Sequence, residues 1–163
     1  HRMNHFGLSL AEEKSRLIEF GRFAESNRKK RGEGKPETFD FLGFTHYCSR
    51  SKNGKFRVKR KTSKKKFVKK CRKMHELIRT MRTMKLKDIV KKINQILVGY
   101  YHYYGITDNS RAIKRFRYAV IKELFYWLNR RSQRRSYTWE GFLEMIDKEY
   151  PIAEAKIYVS IYA

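Results

Sequence analysis

The sequence predicts a mainly α-helical protein with a small antiparallel β appendage near its start. After Thr62 the apolar residues recur with the 3.6-residue period of a helix, in three long stripes and one short one. Before Thr62 they alternate with the period of a strand, and Asn53-Gly54 supplies a strong hairpin signal. The links between the helical stripes are short, which is typical of a helical bundle.

Residues 1–60 are predicted to contain a strand, a loop and a β-hairpin. The strand is expected around residues 16–20, and the polar stretch NRKKRGEGKPE, residues 27–37, is typical of a loop. Alternating phenylalanines in FDFLGF and the Asn-Gly pair further on place the hairpin at residues 38–60. Gly43 stands where a bulge or a close backbone approach is expected.

The ends of the helical stripes carry recognisable signals. The candidate N-caps are Thr62 or Ser63 for the first stripe, Asn109 or Ser110 for the third, and Thr138 for the fourth. Tyr137 and Phe142 have the spacing of a hydrophobic staple around Thr138. Gly105 follows the second stripe, where a C′ glycine is expected. Gly99, inside that stripe, is expected to let another backbone approach closely.

The charge of the chain indicates a polyanionic partner. Lys and Arg number 40 against 16 Asp and Glu, which gives a formal net charge of +24. Aromatic residues make up 15% of the chain, too many for a disordered basic tail, so the charge must surround a folded core. Nucleic acid is the expected partner, with an anionic membrane surface as the alternative.

No apolar run approaches the ~20 residues that span a bilayer. Two cysteines without a disulfide framework fit a reducing cytoplasm.

No catalytic or metal-binding constellation is predicted. The neighbouring acidic pair Glu12-Glu13 lies beside Lys14 and is interpreted as solvated surface. His46 and Cys48 share a strand face, but no second pair stands at ligand spacing, so no metal site is expected. Catalytic residues are likewise predicted to be absent from the chain.

Basic side chains form three clusters with almost no interleaved acid, a pattern that favours phosphate binding. The first comprises Lys55, Arg57, Lys59, Arg60, Lys61, Lys64, Lys65, Lys66, Lys69, Lys70 and Arg72. The second comprises Arg111, Lys114, Arg115 and Arg117, and the third Arg130, Arg131, Arg134 and Arg135. All three clusters are candidate nucleic-acid contacts.

The tyrosine-rich stretch GYYHYYG divides between core and surface. Tyr100, Tyr101 and Tyr104 continue the apolar stripe of the second helix, so they are predicted to be core residues. Tyr103 points off the stripe and is the candidate for base stacking or for a hydroxyl-to-phosphate contact.

The order of several motifs resembles the C-terminal third of bacterial group II intron reverse transcriptase/maturases. These motifs are FGLSLAEEKSRLIEF, FDFLGF, the basic hairpin, INQILVGYYHYYGITDNSRAIKRF and LFYWLNRRSQRRSYTWEGF. The resemblance implies that residues 1–60 end the palm, 61–150 form the thumb (also called domain X or the maturase-specific domain), and 151–163 form a C-terminal tail. It also implies a position near the primer grip for Phe41, Leu42, Gly43 and Phe44.

The same resemblance implies the partners. In that family the thumb grips the RNA–DNA template–primer duplex and, with basic surfaces, binds group II intron RNA to support splicing. The family's catalytic Tyr-X-Asp-Asp motif is absent from this chain, so the Mg²⁺ of the full-length polymerase would be held by missing palm residues. The chain is expected to be part of a longer bacterial cytoplasmic enzyme, with the catalytic N-terminal part as a further partner. The alternatives are half of a split enzyme, or the thumb of a domesticated or defence-associated reverse transcriptase.

Overall fold

The computed structural model describes residues 2–9, 11, 13, 15–132, 134 and 136–161, which form two compact units. The first contains the residues up to Phe39 together with His46–Lys59. The second, the helical unit, contains Asp40–Thr45 and the chain from Arg60 onward. The predicted fold class, mainly α-helical with a small antiparallel sheet before the helices, is confirmed.

The secondary structure follows a simple order. The strands are β1 (Phe39–Phe41), β2 (Phe44–Arg50) and β3 (Phe56–Thr62), and they are neighbours in that order within one sheet. The helices are α1 (Arg2–His5), α2 (Ala24–Lys30), α3 (Lys64–Met81), α4 (Leu86–Tyr104), α5 (Ser110–Leu128) and α6 (Trp139–Lys148). A 3-10 helix, Thr107–Asn109, precedes α5.

The predicted hairpin is present and has a third strand. β2 and β3 are joined by a loop in which the Ser51 N–H donates to the Lys55 carbonyl (2.8 Å) and Gly54 has φ of +72°. β1 and β2 are joined by Leu42 and Gly43, with φ of +47° and +80°. Two consecutive positive φ values are the mark of the type I′ hairpin turn. Gly43 therefore forms a turn and not a bulge. The alternative prediction, a close approach at this residue, describes the structure better, although the group that approaches is the Tyr104 side chain and not a backbone.

The strand predicted at residues 16–20 is wrong, because these residues form neither strand nor helix. The Arg16 guanidinium donates to the Thr38 carbonyl (2.7 Å), and the Glu19 N–H donates to the Glu37 carboxylate (3.3 Å). Side chains thus supply hydrogen bonds that a strand would have obtained from a neighbouring backbone.

The predicted loop at residues 27–37 is wrong in its first part, because α2 extends to Lys30. Ala24 is buried at the start of α2, and its last turn carries three basic residues, which interact favourably with the helix dipole. Gly32, with φ of +72°, then lets the chain leave the helix.

The predicted caps are confirmed for α3 and α6. Ser63 accepts a hydrogen bond from the Lys66 N–H (3.4 Å), and Thr138 accepts one from the Gly141 N–H (3.2 Å). The rings of the staple pair before and inside α6, Tyr137 and Phe142, lie 6.4 Å apart. Each cap satisfies a backbone donor that the first helical turn leaves free.

Asn109 precedes α5, but its side chain forms no cap and instead ties α5 to the start of α3. Its Oδ1 accepts from the Thr62 N–H (2.8 Å), and its Nδ2 donates to the Thr62 hydroxyl (2.8 Å) and the Tyr104 carbonyl (2.9 Å). Both the oxygen and the nitrogen of the buried amide therefore have hydrogen-bond partners, as most buried polar groups do.

The three predicted stripes of α3, α4 and α5 form one hydrophobic core, with α6 packed against it. The largest fully buried side chains are Met74, Ile78, Ile89, Ile93, Leu97, Tyr101, Ile113, Phe116, Leu124, Leu128, Phe142 and Ile146. Their positions follow the 3.6-residue period from which the helices were predicted.

The described part of the predicted tail, residues 151–161, packs along the helices. The Asn94 amide donates to the Pro151 carbonyl (2.9 Å) and accepts from the Ala153 N–H (2.8 Å). At Gly105 an added Cβ would lie 2.3 Å from the Tyr101 carbonyl oxygen and 2.6 Å from that of Lys156.

The two glycine predictions for the second helix have different outcomes. Gly105 directly follows the last residue of α4, as predicted, with φ of −79° rather than a left-handed value, and the missing side chain of Gly105 also allows the close approach of residues 156–159. A Cβ added at Gly99 would have no atom within 4 Å apart from its chain neighbours and the backbone of its own helix, so the predicted close approach of another backbone is wrong.

Candidate nucleic-acid interface

An open groove runs along the helical unit between α3 and α4. Its α3 side is lined by Lys66, Lys69, Lys70 and Lys73, because residues three or four positions apart share one helix face. Its α4 side is lined by Gln95, Ile96, Gly99, Tyr100, Tyr103 and Tyr104. The central part has a volume of about 570 Å³. None of these described lining residues is acidic, so the groove carries positive charge.

The groove continues in both directions along α3. At the start of the helix its lining includes Asp40, Ser63, Lys65 and Lys66, and near the end it includes Lys70, Lys73, Met74, Glu76, Leu77 and Thr80. The two acids have partners, since Asp40 accepts from the Thr45 hydroxyl (2.5 Å) and Glu76 pairs with Arg79 (3.5 Å). From Ser63 to Thr80 the helix advances about 25 Å.

One end of the groove is closed by the turn at residues 41–44, which the resemblance places near the primer grip. The Tyr103 hydroxyl donates to the Leu42 carbonyl (2.8 Å), and the Tyr104 hydroxyl lies 2.7 Å from the point where a Gly43 Cβ would be. The Phe44 ring lies 6.0 Å from that of Tyr103 and 5.1 Å from that of Tyr104. The end of α4 therefore holds the β1–β2 turn in place within the helical unit.

The tyrosines divide between core and surface as predicted. Tyr100 and Tyr101 are buried, and Tyr104 is half-buried against the core. Burial raises the pKa of Tyr100 to about 12, and it raises the pKa of Tyr101 as well. Tyr103 lies off the stripe with 54% of its surface exposed, and its ring lines the groove.

The surroundings of Lys70 disfavour its charged form, and a nearby phosphate would offset this effect. Burial lowers the pKa of its ammonium group, and the nearby positive charge of Lys73 lowers it further. A negative charge placed in the groove would favour the protonated form, so binding of a phosphate there would offset the repulsion between the two lysines.

The remaining residues of the first cluster lie outside this groove lining. Arg57 and Lys59 belong to the first unit, whereas Arg60 and Lys61 begin the helical unit. Lys64 is exposed at the first position of α3. The Nε of Arg60 is buried without a hydrogen-bond partner among the described residues.

The second cluster divides between the two sides of α5. Arg111, Lys114 and Arg115 are exposed, and the Arg115 guanidinium lies 5.5 Å from the ring centre of Phe67. Arg117 donates to the carbonyls of Ile152 (3.1 Å) and Ala153 (3.2 Å) and pairs with Glu154 (2.6 Å). The Arg117 side chain therefore binds residues 152–154 of the C-terminal segment.

The third cluster follows α5. The Arg130 guanidinium lies 4.1 Å from the ring centre of Tyr126, and Arg131 donates to the Met84 carbonyl (3.0 Å). Arg134 is exposed, and Arg135 lies outside the described residues. These arginines line none of the groove described above.

Sequence reasoning missed Lys73, Gln95 and Gly99 as groove residues. Lys73 could have been found, because it follows Lys66 and Lys69 at helical spacing. The α4 residues could not, since no local pattern indicates which side of α4 faces α3.

No group of three or more His, Cys, Asp or Glu residues that could hold a metal ion occurs among the described residues. None of the helices in the described part of the chain is both long enough and apolar enough to span a bilayer.

Comparison with protein families identifies the domain that contains the groove. Residues 64–142, which run from the start of α3 into α6, match the family model "Group II intron, maturase-specific domain". No curated protein and no solved structure matches the chain significantly. Residues 64–142 are thus similar to the maturase-specific domain of the group II intron family, and this match supports the maturase-associated role that the resemblance implied.

Proposed function

We propose that the α3–α4 groove is an RNA-binding surface, with which this region of a group II intron reverse transcriptase grips intron RNA and template–primer duplex. The observation that carries this proposal is the row of α3 lysines along a groove that contains the exposed ring of Tyr103. A row of cations suits a phosphate backbone, and the exposed Tyr103 ring suits a sugar or base.

Recognition of this kind depends on the shape of the nucleic acid more than on its sequence. Lysine is a flexible point charge without the geometry of bidentate base recognition. Double-stranded A-form RNA is recognised largely through its phosphates and 2′-hydroxyls. The groove would therefore hold structured RNA or an RNA–DNA hybrid, and specificity for one intron would require further contacts.

The proposal extends to the parts of the enzyme that this chain does not contain. The primer-grip-like turn at Phe41–Phe44 would face the primer end, and a catalytic palm with its own aspartates and Mg²⁺ would perform the polymerisation. The two free cysteines are compatible with the reducing bacterial cytoplasm as the site of this activity.

The first test removes two groove lysines and compares the result with a matched control. K66A/K69A should weaken binding to an RNA duplex and reduce the salt dependence of log K by about one unit per lost phosphate contact. K87A/K91A removes the same charge from exposed positions of α4 that lie outside the groove lining. Alanine is a good helix former, so both variants should remain folded.

Binding measured across a salt series distinguishes the groove from general attraction. If the groove binds RNA, K66A/K69A loses more affinity and more salt dependence than K87A/K91A. Equal losses in the two variants would mean that only the net charge of the protein matters, and the groove proposal would fail.

A further inference from the structure

A second basic and aromatic surface lies on the side of α5 opposite to the core. Its exposed residues, here called the α5 stripe, are Arg111, Arg115, Tyr118, Lys122, Tyr126 and Arg130, the last just beyond the helix. They follow one another at intervals of three or four residues, so they share one helix face. None of them is among the groove-lining residues.

The two tyrosines of the α5 stripe are exposed, and neighbouring rings and cations contact each of them. Tyr118 is 56% exposed, its ring meets that of Trp139 edge-on at 6.5 Å, and the Lys122 ammonium lies 5.8 Å from its centre. Tyr126 is 42% exposed, with the Trp127 ring edge-on at 5.1 Å and the Arg130 guanidinium 4.1 Å from its ring centre, so one face of this ring already has a cation on it. A ring that is already oriented loses little freedom when a ligand stacks on it.

The charge along the α5 stripe has one sign. The one acidic residue in α5 is Glu123. Its carboxylate contacts the Nδ1 of His75 on α3 at 2.8 Å, so it already has a partner beside the stripe. Arginine and lysine thus alternate with exposed rings along this face, without acid between them.

We propose that the α5 stripe binds an unpaired segment of RNA. Bases would stack on Tyr118 and Tyr126, and phosphates would meet the cations at Arg111, Arg115 and Lys122. Only unpaired bases can leave their own stack for an aromatic side chain, so this combination of rings and cations is suited to single strands. The eight helical steps from Tyr118 to Tyr126 advance about 12 Å, a distance that a few nucleotides cover.

This inference rests on the proposed function only for the identity of the nucleic acid as RNA. The α5 stripe and the groove would bind different forms of it, unpaired segments and duplex. An RNA that contains both forms could contact both surfaces.

The test compares two labelled RNAs, an unstructured oligonucleotide and a blunt duplex, by fluorescence anisotropy. Y118A/Y126A should weaken binding of the oligonucleotide about tenfold or more, because base–aromatic stacking contributes strongly at each base. Its affinity for the duplex should stay within about twofold. Y118F/Y126F keeps the rings and should retain most of the affinity for the oligonucleotide.

The outcomes separate the two surfaces. Unchanged oligonucleotide binding in Y118A/Y126A, or an equal loss for both RNAs, would overturn the α5 stripe proposal. Thermal unfolding near that of the parent protein would show that an observed loss is not due to misfolding. K66A/K69A should show the reverse preference, and if it leaves duplex binding unchanged, the groove proposal fails on its own account.

Discussion

Tyr100 and Tyr103 are three residues apart on α4 and have different surroundings. The Tyr100 ring lies 4.1 Å from that of Phe116 in the core, whereas Tyr103 is 54% exposed in the groove. The helical period predicted this division, because it assigns each position to a face. The helical period could not predict that the Tyr103 hydroxyl donates a hydrogen bond to the Leu42 carbonyl, since these residues are 61 positions apart.

The Tyr100 hydroxyl makes stability depend on pH in the alkaline range. Burial raises the pKa of Tyr100 from 10.0 to about 12, so the hydroxyl stays protonated to a higher pH in the folded protein than in the unfolded chain. The resulting stabilisation is complete below pH 10 and is lost as the pH rises through about 12. Between pH 10 and about 12, the free energy of unfolding of Y100F should therefore decrease less than that of the parent protein.

Urea unfolding at several pH values between 10 and about 12 checks this prediction. Other tyrosines with raised pKa values are present in both proteins, so the difference between the two curves isolates Tyr100. Parallel curves for Y100F and the parent protein would contradict the assignment of a buried, protonated hydroxyl at this position.

Among the elements, those built from long periodic stripes were predictable and those built from distant contacts were not. α3, α4 and α5 each repeat the helical period over at least 18 residues. The segment at residues 16–20 was predicted wrongly because its partners, at Glu37 and Thr38, are far along the chain. The groove residues divide in the same way. The lysines on its α3 side could be predicted from their spacing, whereas the residues on its α4 side could not.

The packing of the C-terminal segment on α4 leads to a prediction about two glycines. G105A should destabilise the protein by about 1–3 kcal/mol, because its Cβ meets two backbone carbonyls that cannot easily move. G99A, in open space within the same helix, should stabilise it by about 0.5–1 kcal/mol.

Chemical denaturation measures both glycine effects, and hydrogen exchange at residues 158 and 159 reports on the segment itself. Their N–H groups donate to the Gly105 carbonyl at 2.7 and 3.1 Å. Protection at these two amides should fall in G105A. If G105A is as stable as the parent, residues 156–159 do not pack on Gly105 as described.

At the scale of the whole molecule, a net charge of +24 predicts strong but salt-sensitive binding to any nucleic acid. Charge alone cannot distinguish one RNA from another. The match of residues 64–142 to the maturase-specific domain adds the expectation of a preferred ligand, group II intron RNA. The groove and the α5 stripe, which we propose bind different forms of RNA, are the surfaces from which such a preference would arise.

The most direct test of this account is binding of the chain to a folded group II intron RNA and to an unrelated structured RNA of equal length, across a salt series. The account predicts that the intron RNA is preferred and that this preference survives ~150 mM salt, because shaped surfaces add to the phosphate contacts. Equal binding of both RNAs that disappears as salt rises would contradict it and leave only a generic attraction to phosphate.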